Sequence, residues 1–371
     1  MLEKSIDFLL ENAGPVIQYR LRKEILGNIT QTEEENLLEQ IYNTQNFKLV
    51  ESYAKPNGFI GVGMHGHTNW LGVKLHETPL QNGESAAKLL AYYAVPRNHP
   101  LVTGFVSAMR DDAVLGQEFS YNNSAKEQLN GRHSGLRQGA GLFTITYTLQ
   151  AMLGYGDDGY ANYFQEISLD AFASMLNIAN IEEITEPKLK KRGNYSYHYV
   201  TEDKYLPCCY HLAMLAYTES WRTPKNIQLL ARAFNHMDSD LVNETEGILV
   251  KGAGGYAGPL GCLIGHFGLK HPFNVDSNGG VMHRRLLTEM AMCGLGDSVE
   301  MVRKSVVNVE EALSGDGVLR LKYPFSRSKY NAVGGYGEVF IEPDYTKKTA
   351  LDCDLTFWAV QFLTLAGGKN G

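Results

Sequence analysis

The sequence predicts an all-α protein: an (α/α)6 toroid or barrel of six inner and about six outer helices, with its long loops on one face. Three observations lead there. Strongly apolar segments alternate with striped ones along 371 residues, of which 44% are hydrophobic. Links inside a helix pair are short, whereas links between pairs run to roughly 20–40 residues. The apolar segments begin near residues 15, 85, 136, 207, 280 and 351, a recurring helix-pair period.

Residues 2–12 form a short amphipathic helix in this reading. A second follows at about 15–26, with Pro15 in its first turn and Gly27 past its end. Thr32 and Glu35 have capping-box spacing, and Leu37, Leu38 and Ile41 follow as an apolar stripe. A long loop from 45 to 83 contains KPNGFIGVGMHGHTNW. It leads to a helix at about 84–95, and Asn98 and Pro100 start the next, at about 99–112. A loop at 113–134 enters an apolar helix at about 136–154; GYGDD ends it, and an amphipathic helix covers about 159–177. A polar loop spans 178–206. The helix at about 207–219 is followed by Thr223 and Pro224, an N-cap with proline at the first helical position. A glycine-rich loop spans 238–278, and another pair lies at about 280–294 and 298–313. The loop 315–349 delivers the last helix, Asp352–Gly367.

The two kinds of helix differ physically. CCYHLAMLAY and LFTITYTLQAML are apolar nearly all round and must be buried. In the second kind, Val299, Val302, Val306, Val309 and Leu313 stripe one face, while Glu300, Arg303, Lys304 and Glu310 take the other. Such a helix covers the first and faces water. Counting 2–12 as the last outer helix closes a ring within one domain, 1–371, and sets the first helix beside the last. Every long loop then enters the N-terminal end of an inner helix, where unpaired N–H groups and partial positive charge gather.

Composition narrows the function. Net charge is −7 with both signs interspersed, which argues against nucleic-acid binding. The opening MLEKSIDFLLENAG lacks the sections of a signal peptide, and no apolar run reaches membrane-spanning length. Five cysteines without CxxC spacing read as free thiols in a reducing cytoplasm. The expected partner is a small-molecule substrate, and the oligomeric state is open.

Candidate chemistry gathers at the helix heads. Asp352 and Asp354 place two carboxylates at the start of an apolar helix; such a pair can keep one proton and act as an acid, or simply cap the helix. His65 and His67, with Trp70, form a His-x-His loop that contacts substrate or holds a divalent metal. No third ligand is evident nearby, so no cofactor is predicted. His133 and Arg137 suit an anion at a helix N-terminus, or a polar cap. Tyr210 and His211 follow Cys208 and Cys209 early on a buried helix, where a cavity wall, a thiol–imidazole pair or a satisfied core histidine all fit. His283 and Arg284 hold the equivalent place on a later helix, with a structural salt bridge as the plain alternative. KGAGGYAGPLGCLIGHFG has neither a GxGxxG nor a Walker pattern.

Several segments resemble a known family. NAGPVIQYRLRKEILG resembles the first helix of bacterial proteins related to squalene cyclases and protein prenyltransferases, and Leu38–Phe59, ending PNGF, and Val309–Val318, ending GDGV, resemble the repeat of that family in which an outer helix ends in an Asp/Asn-Gly turn. LDCDLTFWAVQFL is similar to the inner-helix segment of the prenyltransferase β-subunit. On that likeness Asp352 matches a zinc-binding aspartate, and Asp354 falls where the family has its zinc-binding cysteine, with Cys353 between. The same stretch resembles the Asp-x-Asp-Asp acid motif of class II terpene cyclases, with Leu355 in place of the last aspartate. The resemblance implies an α/α toroid and a terpenoid cyclase-like or prenyltransferase-like activity.

The expected function is therefore an enzyme acting on a small, largely apolar substrate, isoprenoids included, by acid–base chemistry, with Asp352, Asp354 and His211 in catalytic roles. A carbohydrate-active toroid, hydrolase or lyase, is the alternative, since a tyrosine-rich lining also stacks on sugar rings. A non-catalytic binding scaffold is the third.

Overall fold

The computed structural model describes residues 2–64, 69–70, 73–74, 82–118, 142–186, 190–192, 195–200, 206–237, 241, 246–252, 255–257, 271–276, 281–321, 341–344 and 346–367. Helices dominate them, in keeping with the all-α class. The chain divides into two compact units. The first holds Met1–Tyr121, Phe273–Thr288 and Lys304–Gly371; the second holds Asn122–Pro272 and Glu289–Arg303.

In the first unit, α1 (Leu2–Asn12) leads into α2 (Pro15–Arg20), which continues without a break as a π-helical turn, Leu21–Leu26. Pro15 sits at the first helical position, and Gly27 ends the helix in the left-handed region at φ 62°. α3 (Gln31–Tyr42) has a capping box, but Thr30 and Glu33 make it. The predicted pair, Thr32 and Glu35, lies two residues too late. α4 (Gln45–Ser52) occupies the start of what reads as loop, capped by Thr44. The PNGF turn follows. Gly58 has φ 83°, and a Cβ there would meet the Gly104 carbonyl at 2.6 Å, so glycine is required on both counts.

A two-stranded ribbon, β1 (Asn69–Trp70) with β2 (Val73–Lys74), comes next. α5 (Gly83–Tyr92) is capped by Asn82. α6 (Pro100–Arg110) is capped by the His99 ring rather than Asn98. α7 (Asp112–Glu118) is a further helix inside a predicted loop.

In the second unit, α8 (Leu142–Met152) and α9 (Tyr163–Met175) form one pair. The other is α10 (Cys209–Ala216) with α11 (Pro224–Met237), whose first turn Thr223 caps through Asn226 N–H. All eight residues of α10 are buried, and α10 packs on both α8 and α9. The stretches read as polar and glycine-rich loops carry a four-stranded sheet: β3 (Lys190–Arg192), β4 (Tyr195–Val200), β5 (Glu246–Gly252) and β6 (Gly255–Ala257). β4 and β5 run parallel, with Ser196 opposite Glu246, and α10 and α11 lie between them in sequence. Parallel strands need a crossover of that length.

α12 (Val281–Met292) and α13 (Glu300–Leu313) each contribute residues to both units. The stripe on α13 is as the sequence predicts: Val299, Val302, Val309 and Leu313 are buried, Val306 is half-buried, and Glu300, Arg303, Lys304 and Glu310 are exposed.

The last helix, α14 (Ala350–Ala366), begins two residues earlier than the sequence suggests. It packs against α1 and α2, so the first and last helices are neighbours. Leu9, Ile17, Leu21 and Ile25 meet Cys353, Phe357 and Val360 in one apolar cluster. Each large side chain buried there contributes about 1.5–3 kcal/mol.

Candidate functional site

The head of α14 brings together carboxylates that the sequence separates. Asp352 and Asp354 take different hydrogen-bond partners. Asp352 is half-buried and accepts a hydrogen bond from Arg320 Nε at 3.3 Å; Arg320 is also bound by Asp316 at 2.7 Å. Asp354 is buried, and its Oδ1 accepts the backbone N–H groups of Ile341 and Glu342, each at 2.9 Å. It fixes the segment 341–344 against the helix.

That fixing places Glu342, which belongs to the loop 315–349 predicted from the sequence. Its side chain is 0% exposed. Oε2 accepts the Gly14 N–H at 2.7 Å, ahead of α2. Oε1 has no hydrogen-bond partner among the described residues and lies where a Cβ on Gly14 would stand. Gly14 is therefore glycine for space: any side chain would displace the carboxyl. Burial pushes the Glu342 pKa above the ordinary carboxylate value, against the opposing pull of the Gly14 N–H and Lys347.

The surroundings are apolar with a few polar groups. The Cys353 thiol is fully buried, and burial, with Glu342 next, pushes its pKa up to about 12. Tyr93 is fully buried at the end of α5, its hydroxyl accepting from Asn46 Nδ2 at 3.2 Å. Burial raises its pKa, and Asp354 and Glu342 add to the effect. Arg20 lies over the Phe357 ring at 5.1 Å and makes a two-pronged bond to Glu24.

Asp352, Cys353 and Asp354 do not fit a zinc ion. One carboxylate turns to Arg320, the other to two backbone amides, and the thiol sits in the apolar cluster. Among the described residues no group of three or more His, Cys, Asp and Glu side chains could hold a metal.

The other candidates fall elsewhere. His283 is half-buried and Arg284 buried near the start of α12. The Arg284 guanidinium stands over the Trp358 ring at 5.9 Å, and Trp358 Nε1 donates to the Arg284 carbonyl and to Thr288 Oγ1. Trp358 stacks on Phe362 and packs on Phe273. Arg284 thus belongs to an aromatic ladder on α14.

In the second unit, Tyr210 and His211 are buried in the first turn of α10. His211 Nδ1 accepts the Cys208 N–H at 3.2 Å and lies 3.4 Å from Cys208 Sγ. An Nδ1 that accepts a backbone N–H is unprotonated, so the ring proton is on Nε2 in the neutral form. The arrangement caps the helix in the manner of a capping box, with histidine in the place of glutamate.

Trp70 lies on β1 opposite Val73, with only its backbone described. His65, His67, His133 and Arg137 lie outside the described residues. Among the described residues, further buried charges lie outside the predicted candidates, including Lys88 and Glu84, an ion pair one turn apart on α5, exposed by 1% and 4%. Their i,i+4 spacing was the available signal.

Comparison with protein-family models, with curated proteins and with solved structures found no match to this chain.

Proposed function

We propose that the chain is an enzyme of acid–base chemistry acting on a small, largely apolar substrate at the head of α14. The observation that carries this reading is the buried Glu342 carboxyl, held out of water beside Asp354 with its pKa raised by burial. A carboxyl that retains its proton in apolar surroundings is a candidate general acid. Glu342 supplies the proton, and Asp354 is the positioning residue that sets the Glu342 backbone. Phe357, Tyr93 and Cys353 provide the apolar neighbourhood an isoprenoid-like substrate prefers.

The helix pairs support an (α/α)6 toroid as the frame. α5, α8 and α10 are buried nearly throughout, whereas α11 and α13 are striped, as inner and outer helices would be. The neighbouring α1 and α14 are what a closed ring requires.

A second reading, a carbohydrate-active hydrolase or lyase, draws on the charged groups buried on inner-type helices: Glu84 and Lys88 on α5, and Arg284, Arg285 and Glu289 on α12. Buried charges are paired or bind polar ligands.

The test is turnover. Short isoprenoid alkenes and epoxides are incubated with the protein, oligosaccharides in parallel, and products are followed by mass spectrometry. We expect conversion of the isoprenoid panel, lowered about 100-fold or more in Glu342→Gln. Full activity in that variant removes the acid role. Conversion of oligosaccharides alone favours the second reading.

A further inference from the structure

We propose that residues 341–344 form a latch, closed between the start of α2 and the head of α14 while Glu342 is neutral and opened when Glu342 ionises. Three hydrogen bonds hold it. Ile341 and Glu342 donate their backbone N–H groups to Asp354 Oδ1, both at 2.9 Å, and Gly14 donates to Glu342 Oε2 at 2.7 Å. The segment is thereby pinned from both sides, and the pin on the α2 side is a single carboxyl.

That pin is poorly prepared for charge. It is 0% exposed, and Oε1 has no hydrogen-bond partner among the described residues. A buried carboxylate whose donors are the Gly14 N–H and, more weakly, the Asp344 N–H leaves most of its hydration uncompensated, while the neutral acid loses far less. Water can satisfy the ionised group once the segment lifts away from Gly14, so ionisation and opening favour each other.

The neighbouring charges set where this happens. On the segment's own side, Lys347 favours the ionised form; the Asp344 carboxylate opposes it, while the Asp344 backbone N–H favours it more weakly. From α14 come Asp352, held by Arg320, and Asp354 and Cys353, which are buried. Tyr93 comes from the end of α5, and Arg20 from α2 is committed to Glu24. The charged side chains of α1, namely Glu3, Lys4, Asp7 and Glu11, are exposed. The described surroundings thus offer Glu342 no buried cation that is not already engaged.

The latch involves the carboxyl invoked for the proposed reaction but does not rest on that reading. Hydrogen exchange reports it without any substrate, and turnover reports the chemistry. Exchange is measured on peptides covering Gly14, Ile341–Glu342 and, as a control, Val360 in the middle of α14, from about pH 5 to about pH 9, each rate divided by its unstructured-chain rate. We expect protection at Gly14 and Ile341–Glu342 to fall by about tenfold or more with rising pH, Val360 to be unaffected, and Glu342→Gln to show no pH dependence. Lys347→Ala should move the opening to higher pH and Asp344→Asn to lower pH; both sites are exposed, so these chains fold even if Glu342→Gln does not. Protection that is constant with pH, a fall shared by Val360, a Glu342→Gln profile like the wild type, or a midpoint unmoved in both charge variants would each overturn the latch.

Discussion

Glu342 in the first unit and Asp157 in the second do the same job, accepting backbone N–H groups from a distant stretch of chain, and their pKa values move in opposite directions. Asp157 accepts from the Glu219 and Ser220 N–H groups, from Ser220 Oγ at 2.7 Å and from Gln165 Nε2 at 3.0 Å. Burial pulls its pKa up, but the Ser220, Glu219 and Gln165 bonds outweigh this and leave it lowered. It is also exposed to water. Glu342 is fully buried, the Gly14 N–H and a weaker pull from the Asp344 N–H are its backbone donors, and burial wins. The contrast shows what separates a clamp from a site. A carboxylate saturated with donors is committed to its charge and to holding structure. One starved of donors keeps its proton available.

Four experiments test this contrast. The largest effect is expected from Asp354→Ala, which strips the acceptor from two N–H groups beside the buried carboxyl. Urea unfolding should show a loss of about 3 kcal/mol, and a loss under about 1 kcal/mol would mean that segment 341–344 does not depend on Asp354. Gly14→Ala comes next, at about 2 kcal/mol, because its Cβ takes the place of Glu342 Oε1. Adding Glu342→Ala should recover most of that loss, and strict additivity of the two would contradict the close approach.

Asp157→Ala should cost about 1 kcal/mol, since solvent can replace the acceptor at an exposed position. A cost equal to that at Asp354 would erase the difference between the exposed and the buried carboxylate. The smallest effects concern pH. The Glu342 pKa is raised on folding, so its contribution is fully present below the ordinary value of 4.5 and is lost as pH rises through the raised value. The Asp157 pKa is lowered, so its contribution is present above the ordinary 3.8 and is lost as pH falls through the lowered value. Stability curves of Glu342→Gln and Asp157→Asn should flatten on the alkaline and acid sides respectively, and flattening on the same side in both would refute the opposed shifts.

The helices were legible because apolar content and stripe are summed over many residues. The α13 stripe and the caps at Pro15, Gly27 and Thr223 illustrate this. Short features were not. Thr32 and Glu35 have the same spacing as Thr30 and Glu33, and only the chain entering the helix decides between them. β4 alternates tyrosine with Ser196, His198 and Val200, a strand pattern that its polarity masked, and its partner β5 lies 46 residues on or more. The two aspartates at the head of the last helix were visible, but their directions were not, because those depend on Arg320 and on the 341–342 amides. Glu342 was hidden most fully. Its signal is one acid between Ile341 and Pro343 in a long loop, and its burial is set by residues over 300 positions away at the other end of the chain.

The π-helical turn at Leu21–Leu26 has a consequence for how the two chain ends stay matched. Ile17, Leu21 and Ile25 are spaced by four, and in an ordinary α-helix each such step over-rotates, so the row would wind away from its partner. The wider turn under-rotates over the same step and brings the row back. The extra residue acts as a phase correction that keeps all three side chains on Cys353, Phe357 and Val360. Removing one residue from the turn would leave the apolar residues in place in the sequence and throw the last of them out of step with the C-terminal helix.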